Sequence, residues 1–194
     1  MNESDAELMT RCKDGDMTAF DILIHRHKTP LVNFIYRFIG DPDSAEDLAQ
    51  ETFIRVYRNI DRYRHDMAGF RTWMYRIASN LCKNELRNRS RRPRILVNNA
   101  IGNQDDEGNP IENMVDPSPR PDGQVEEKEL QDVLARAISG LPEKLRIALI
   151  LRDIEGMSYE EISQTIRKPV GTVKSRINRA RLMLKDKMAA YVHS

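Results

Sequence analysis

Apolar residues along this 194-residue chain recur at spacings of three and four, and strand-like alternation is scarce. The pattern predicts an all-α protein. Ser4 or Asp5 opens a short helix carrying Leu8, Met9 and Cys12, which ends near Gly15. Asp16 caps a longer helix with Phe20, Ile24, His27, Leu31, Phe34 and Phe38, running to Gly40. Pro30 lies inside that rhythm and predicts a kink or break. Asp41-Pro42 starts a third helix, to about Asn59, with Ala45, Leu48, Ala49, Thr52, Phe53, Val56 and Ile60 along one side. A fourth, from about Phe70 to Arg89, has Phe70, Met74, Ile77, Ala78 and Leu81 as its apolar stripe.

The rhythm stops at Arg91-Arg92-Pro93 and returns at Val125. Between them, residues 93–124 are rich in Pro, Gly and Asn, and carry six acids against two arginines. That composition predicts a flexible acidic linker. Fully extended it reaches on the order of 100 Å, and as a flexible coil nearer 30 Å. The chain is therefore expected to form two small helical domains, residues 1–92 and 125–194. In the second, Leu130, Val133, Leu134, Ala137 and Ile138 predict one helix, and Pro142 starts another bearing Leu145, Ala148, Leu149 and Arg152. Ser158 and Glu161 form a capping box ahead of Tyr159, Ile162 and Ile166. Arg167-Lys168-Pro169 breaks that run, and Pro169 fits the first turn of a last helix with Val170, Val173, Ile177, Ala180 and Leu184 as its stripe. Two helices joined this tightly predict a helix-turn-helix.

Charge sharpens the picture. The formal net charge is only +1, but the charges fall in blocks. Arg62 to Arg94 holds ten Arg or Lys against two acids, with Tyr63, Phe70, Trp73 and Tyr75 interleaved. Thr72, Arg76, Ser79, Asn80, Lys83 and Arg87 gather on one face of the fourth helix, with Trp73 at its border. Phosphates attract such cations, and unstacked bases suit aromatic faces and polar edges, so this face fits single-stranded DNA as readily as duplex. Arg167 to Lys187 holds eight cations against Asp186 alone. There Thr172, Ser175, Asn178 and Arg179 project away from the apolar stripe, with Lys174, Arg176 and Arg181 on the flanks, which suits a major groove. The outer side of the third helix is different again: Asp47, Gln50, Glu51 and Arg58 surround a lone Ile54. It is either a solvated face or a small protein-binding patch with a polar rim.

Other chemistry is not indicated. No Gly-rich phosphate loop or Ser/His/Asp arrangement is present, so neither catalysis nor a cofactor is expected. His25 and His27 diverge on a helix with no Cys or further His beside them, so no metal site is expected. Cys12 and Cys82 make no disulfide framework and predict buried thiols in a reducing cytoplasm. Met1 leads into acidic residues and no apolar run approaches a membrane span, so neither secretion nor membrane insertion is expected.

Ser158-Tyr159-Glu160-Glu161-Ile162 with Pro169-Val170-Gly171-Thr172-Val173-Lys174-Ser175-Arg176 resembles the last conserved region of bacterial sigma factors. The small extracytoplasmic-function (ECF) group is the nearest in kind. Phe70-Arg71-Thr72-Trp73-Met74-Tyr75-Arg76-Ile77-Ala78, followed by Asn80, is similar to the sigma region that recognises and melts the minus-10 element. Asp47 to Phe53 resembles the segment that docks on the coiled coil of the polymerase β′ subunit, and Leu141-Pro142-Glu143 with Arg146 looks like the sigma entry to its last domain. The resemblance implies a factor that binds core RNA polymerase, including its β subunit, and directs it to promoter DNA. It assigns Thr172, Lys174, Ser175, Arg176, Asn178, Arg179 and Arg181 to the minus-35 element. In the loop that begins at Arg64, residues His65 to Gly69, with Asp66 and Met67 among them, would form the pocket for a flipped base and Asn80 would contact the base region, with Arg64, Arg76, Lys83 and Arg87 also assigned to minus-10 binding and melting. Asp47, Gln50, Glu51, Ile54 and Arg58 would meet the polymerase. An anti-sigma partner is also implied, and the linker would either thread the polymerase or act as a tether. A two-domain regulator of duplex operators would use the C-terminal helices equally well. It leaves the aromatic-basic helix and the Ile54 face without a task.

Overall fold

A computed structural model describes residues 3–91 and 133–192. The expected linker, residues 93–124, and Leu130 lie outside the described residues. The N-terminal unit comprises α1 (Asp5–Lys13), α2 (Met17–Ile39), α3 (Pro42–Arg58), a 3₁₀ turn at Ile60–Arg62, and α4 (Phe70–Arg91). The C-terminal unit comprises α5 (133–139), α6 (Glu143–Leu149), α7 (Tyr159–Ile166) and α8 (Val170–Val192). Among the described residues there is no strand.

Local chemistry sets the helix ends. Ser4 with Glu7 and Ser158 with Glu161 make reciprocal capping boxes, and Asp16 and Asp41 cap α2 and α3 through Thr18 and Ser44 amides. Gly40 closes α2 at φ 82°, a left-handed position that glycine occupies without strain. The helix runs through Pro30 without a break. Pro169 stands just outside α8 as its cap, its carbonyl accepting from the Val173 amide.

α2 is the axis of the N-terminal unit, burying Phe20, Leu23, Leu31, Phe34, Ile35 and Phe38 against α1, α3 and α4. In the C-terminal unit Val173, Ile177 and Ala180 of α8 close over α6 and α7. The two units are not separate. Their buried apolar residues form one continuous cluster, with α7 lying against α4. Periodicity reports the inward face of each helix and does not report this seam.

Candidate nucleic-acid and polymerase interfaces

The outer side of α3 is open. Ile54 is 44% exposed and Tyr57, one turn further on, 46%. Asp47, Gln50 and Arg58 are exposed around them, while Glu51 is half-buried and bonded to Arg55 at 2.7 Å. Tyr57 thus enlarges the Ile54 patch. Its ring rests on Phe20 at 5.4 Å, which fixes it in place.

The segment before α4 is a turn in which the Met67 and Ala68 amides donate to the Arg64 carbonyl. Arg64, His65, Asp66, Met67 and Gly69 are all exposed, with Met67 at 71%. Arg64 and Asp66 form a loose pair at 3.7 Å. Tyr63 and Phe70, on either side, are buried and meet edge to face at 6.4 Å, and Trp73 packs on Tyr63 at 5.2 Å. The three rings form a rigid base for an exposed loop.

On α4 the expected polar face divides. Asn80 and Arg87 are exposed, and Arg76 and Lys83 are half-buried. Thr72 and Ser79 are fully buried, and the Ser79 hydroxyl has no hydrogen-bond partner. Placing these two on a solvated face is therefore corrected: both lie in the packed interior, where α4 meets α2, α3 and α7. Trp73, expected at the border, lies inside.

Two clasps hold the seam, and neither is visible in the sequence pattern. After α6 the backbone widens into a π-type turn, Ile150–Ile154, where the Glu155 amide reaches back to the Ile150 carbonyl at 2.9 Å. The wider turn presents the Glu155 carboxylate, 6% exposed, to α4. There Tyr75 donates its hydroxyl to the carboxylate, and Arg71 donates to the Glu155 carbonyl. Burial and the facing carboxylate both raise the Tyr75 pKa, so the phenol stays protonated and keeps donating. In the second clasp Arg146 donates to the Phe38 carbonyl at 2.6 Å and to the Leu141 carbonyl at 2.9 Å.

The same seam brings cations together. Arg76 faces Arg167, and Lys83 faces Glu143, Arg176 and Lys168. Burial lowers the pKa of both Arg76 and Lys83, and the neighbouring cations act in the same direction.

In the helix-turn-helix, Arg167 ends α7 at φ 52°, a left-handed conformation unusual for a side chain of this size. Ser163 secures the turn, donating its hydroxyl to the Lys168 carbonyl at 2.6 Å while its carbonyl accepts from the Lys168 amide at 3.1 Å. On α8, Lys174, Ser175, Asn178 and Arg179 are exposed. Thr172 and Arg176 are half-buried, and Arg181 is exposed but paired with Asp153, its Nε at 2.9 Å. The geometry thus yields one exposed polar-basic face on α8, one basic face on α4 largely turned into the seam, and one apolar patch on α3.

The family model described as Sigma-70 region 2 matches residues 23–92, and that described as Sigma-70, region 4 matches residues 131–184. The RNA polymerase sigma-H factor of Pseudomonas aeruginosa is 40% identical over 92% of this chain and 91% of its own length. The ECF RNA polymerase sigma-E factor of Haemophilus influenzae is 37% identical over 95% of both. The chain belongs to the ECF group of sigma factors. As a sigma factor it binds core RNA polymerase and directs it to promoters, and the catalysis is the polymerase's own. The sigma factor RpoE of Bartonella quintana, solved with the anti-sigma factor NepR, shares the fold at a TM-score of 0.66, with 25% identity over 88% of this chain and 96% of that one. Among the described residues of this sigma factor no helix is long and apolar enough to cross a membrane.

Proposed function

We propose that the three faces divide the work of initiation. The α3 patch centred on Ile54 and Tyr57, with Asp47, Gln50, Glu51 and Arg58 as its rim, docks on the β′ coiled coil. The exposed loop from Arg64 to Gly69 captures a base of the minus-10 element, and Arg76, Asn80, Lys83 and Arg87 follow the melted strand. Lys174, Ser175, Asn178 and Arg179 read base edges at minus-35, while Thr172, Arg176 and Arg181 hold the backbone. Residues 1–92 and 125–194 act as the two functional domains, in the cytoplasm, with residues 93–124 as the tether.

The observation that carries this reading furthest is the seam. Elements centred at minus-10 and minus-35 are about 25 base pairs apart, or about 85 Å along a duplex. A form in which α7 lies on α4 does not bridge that distance. The described arrangement is therefore a closed form, and promoter binding requires the two units to part. An anti-sigma partner that favours the closed form would keep the factor silent. That the Bartonella sigma factor was solved with an anti-sigma factor supports such a partner here.

The test of the polymerase face is co-elution with core RNA polymerase, with and without a competing primary sigma factor. The expected result is stoichiometric, competitor-sensitive binding that Ile54→Asp abolishes while leaving the fold intact. Undiminished binding by the variant would remove α3 from the interface.

A further inference from the structure

The loop from Arg64 to Gly69 is exposed throughout most of its length, yet both of its ends are held, the leading end by helix α1 directly and the trailing end by α1 through His27 of α2. At the leading end, Lys13 donates from Nζ to the Tyr63 carbonyl at 2.6 Å and lies 5.7 Å from the centre of the Tyr63 ring. At the trailing end, the His27 ring packs on Phe70 at 5.2 Å. The Asp5 carboxylate fixes that ring, 2.8 Å from Nε2, and its other oxygen pairs with Arg26 at 2.5 Å. Asp5 and Lys13 are eight residues apart on α1, about 12 Å along its axis. One short helix thus spans the base of the loop. The matched region 2 begins at residue 23, so α1 lies outside it.

A loop that captures a base must hold its donors and acceptors at fixed positions, since a pocket loosened by a fraction of an ångström loses discrimination before it loses affinity. The Tyr63 carbonyl sits at the hinge where the backbone leaves the buried ring base, and a charge-assisted bond there restricts its rotation. The Asp5–His27 pair acts on the other hinge through the orientation of Phe70. The ring cluster alone sets where the loop starts, whereas Lys13 sets the direction in which it leaves. From this geometry we infer that Lys13 and Asp5 of α1 are positioning residues that set the base preference of the Arg64–Gly69 loop. The inference rests on the assignment of that loop to base capture, made above.

The experiment uses holoenzyme reconstituted from the full chain and core polymerase. A promoter library randomised across the melted segment is presented, and bound, opened DNA is sequenced. For the wild type, a base preference at one position of the melted segment is expected. Lys13→Met lowers that preference roughly tenfold, the loss expected of one charge-assisted hydrogen bond, and leaves the preference at minus-35 unchanged. Lys13→Arg, which keeps a donor, restores it. Asp5→Asn weakens the same position and no other. Lys13 is exposed, so Lys13→Met still folds, which a cooperative thermal melt checks. Wild-type preference retained in Lys13→Met overturns the bracing role of α1 alone. Absence of any preference in the wild type overturns the base-capture reading and the brace with it.

Discussion

Arg179 is exposed on the face of α8 that projects from the core, two residues beyond the buried Ile177. If it reads a base edge, Arg179→Ala weakens binding to the cognate minus-35 sequence by about 1–3 kcal/mol and relaxes preference at one base pair. Titrations against a panel of single-base variants check this, and equal loss on every variant would assign Arg179 to phosphate. Asp16 makes a different kind of prediction. Its carboxylate accepts from the Thr18 hydroxyl at 2.6 Å and pairs with Arg11 at 2.5 Å, which holds its pKa at about 2. A depressed carboxylate contributes stability that is present above its unfolded pKa and fades as pH falls through the folded value. Asp16→Asn keeps an oxygen for the Thr18 amide but removes the charge. The stability gap between wild type and variant, followed by thermal melts, should therefore narrow from about pH 4 downward. A gap independent of pH would show that the cap acts without its charge.

Helix ends and inward faces were largely legible because their causes are local. Ser4, Asp16, Asp41 and Ser158 each announce a start within three residues, and the structure places a helix at each. The exposed Ile54 was equally plain, since an apolar residue opposite an amphipathic stripe has no place inside. What periodicity does not report is which element covers a polar face. Thr72 and Ser79 fall on the polar side of α4, yet both are buried in a helix packed by α2, α3 and α7. The clasps were hidden for the same reason, because Tyr75 and Glu155 are 80 residues apart and Arg146 and Phe38 are 108 apart. His27 shows the point in miniature. Its partner is Asp5, 22 residues away in the sequence. Both cysteines are buried, and burial raises the Cys82 thiol to about 12, so neither offers a ready thiolate at neutral pH.

At the scale of the whole molecule, the seam sets buried bonds against facing cations. The Tyr75–Glu155–Arg71 group, Arg146 and the attraction of Lys83 to Glu143 draw the units together, while Arg76 with Arg167 and Lys83 with Arg176 and Lys168 oppose them. Such a balance suits a joint that must be firm in storage and release on the promoter. Glu155→Ala leaves Tyr75 without its acceptor and should move the balance toward the open form by about 1–3 kcal/mol. Small-angle scattering of the free protein would register this as a larger radius of gyration, and an unchanged radius would mean that the apolar contacts alone keep the units closed. The most direct measurement is energy transfer between dyes on Asn84→Cys in α4 and Gln164→Cys in α7, both exposed positions, with Cys12 and Cys82 shielded by burial. High transfer is predicted in the free protein, and loss of transfer in the promoter complex, where the faces stand about 85 Å apart. Undiminished transfer in a complex that initiates RNA synthesis would contradict the account, since the closed form would then be the working one.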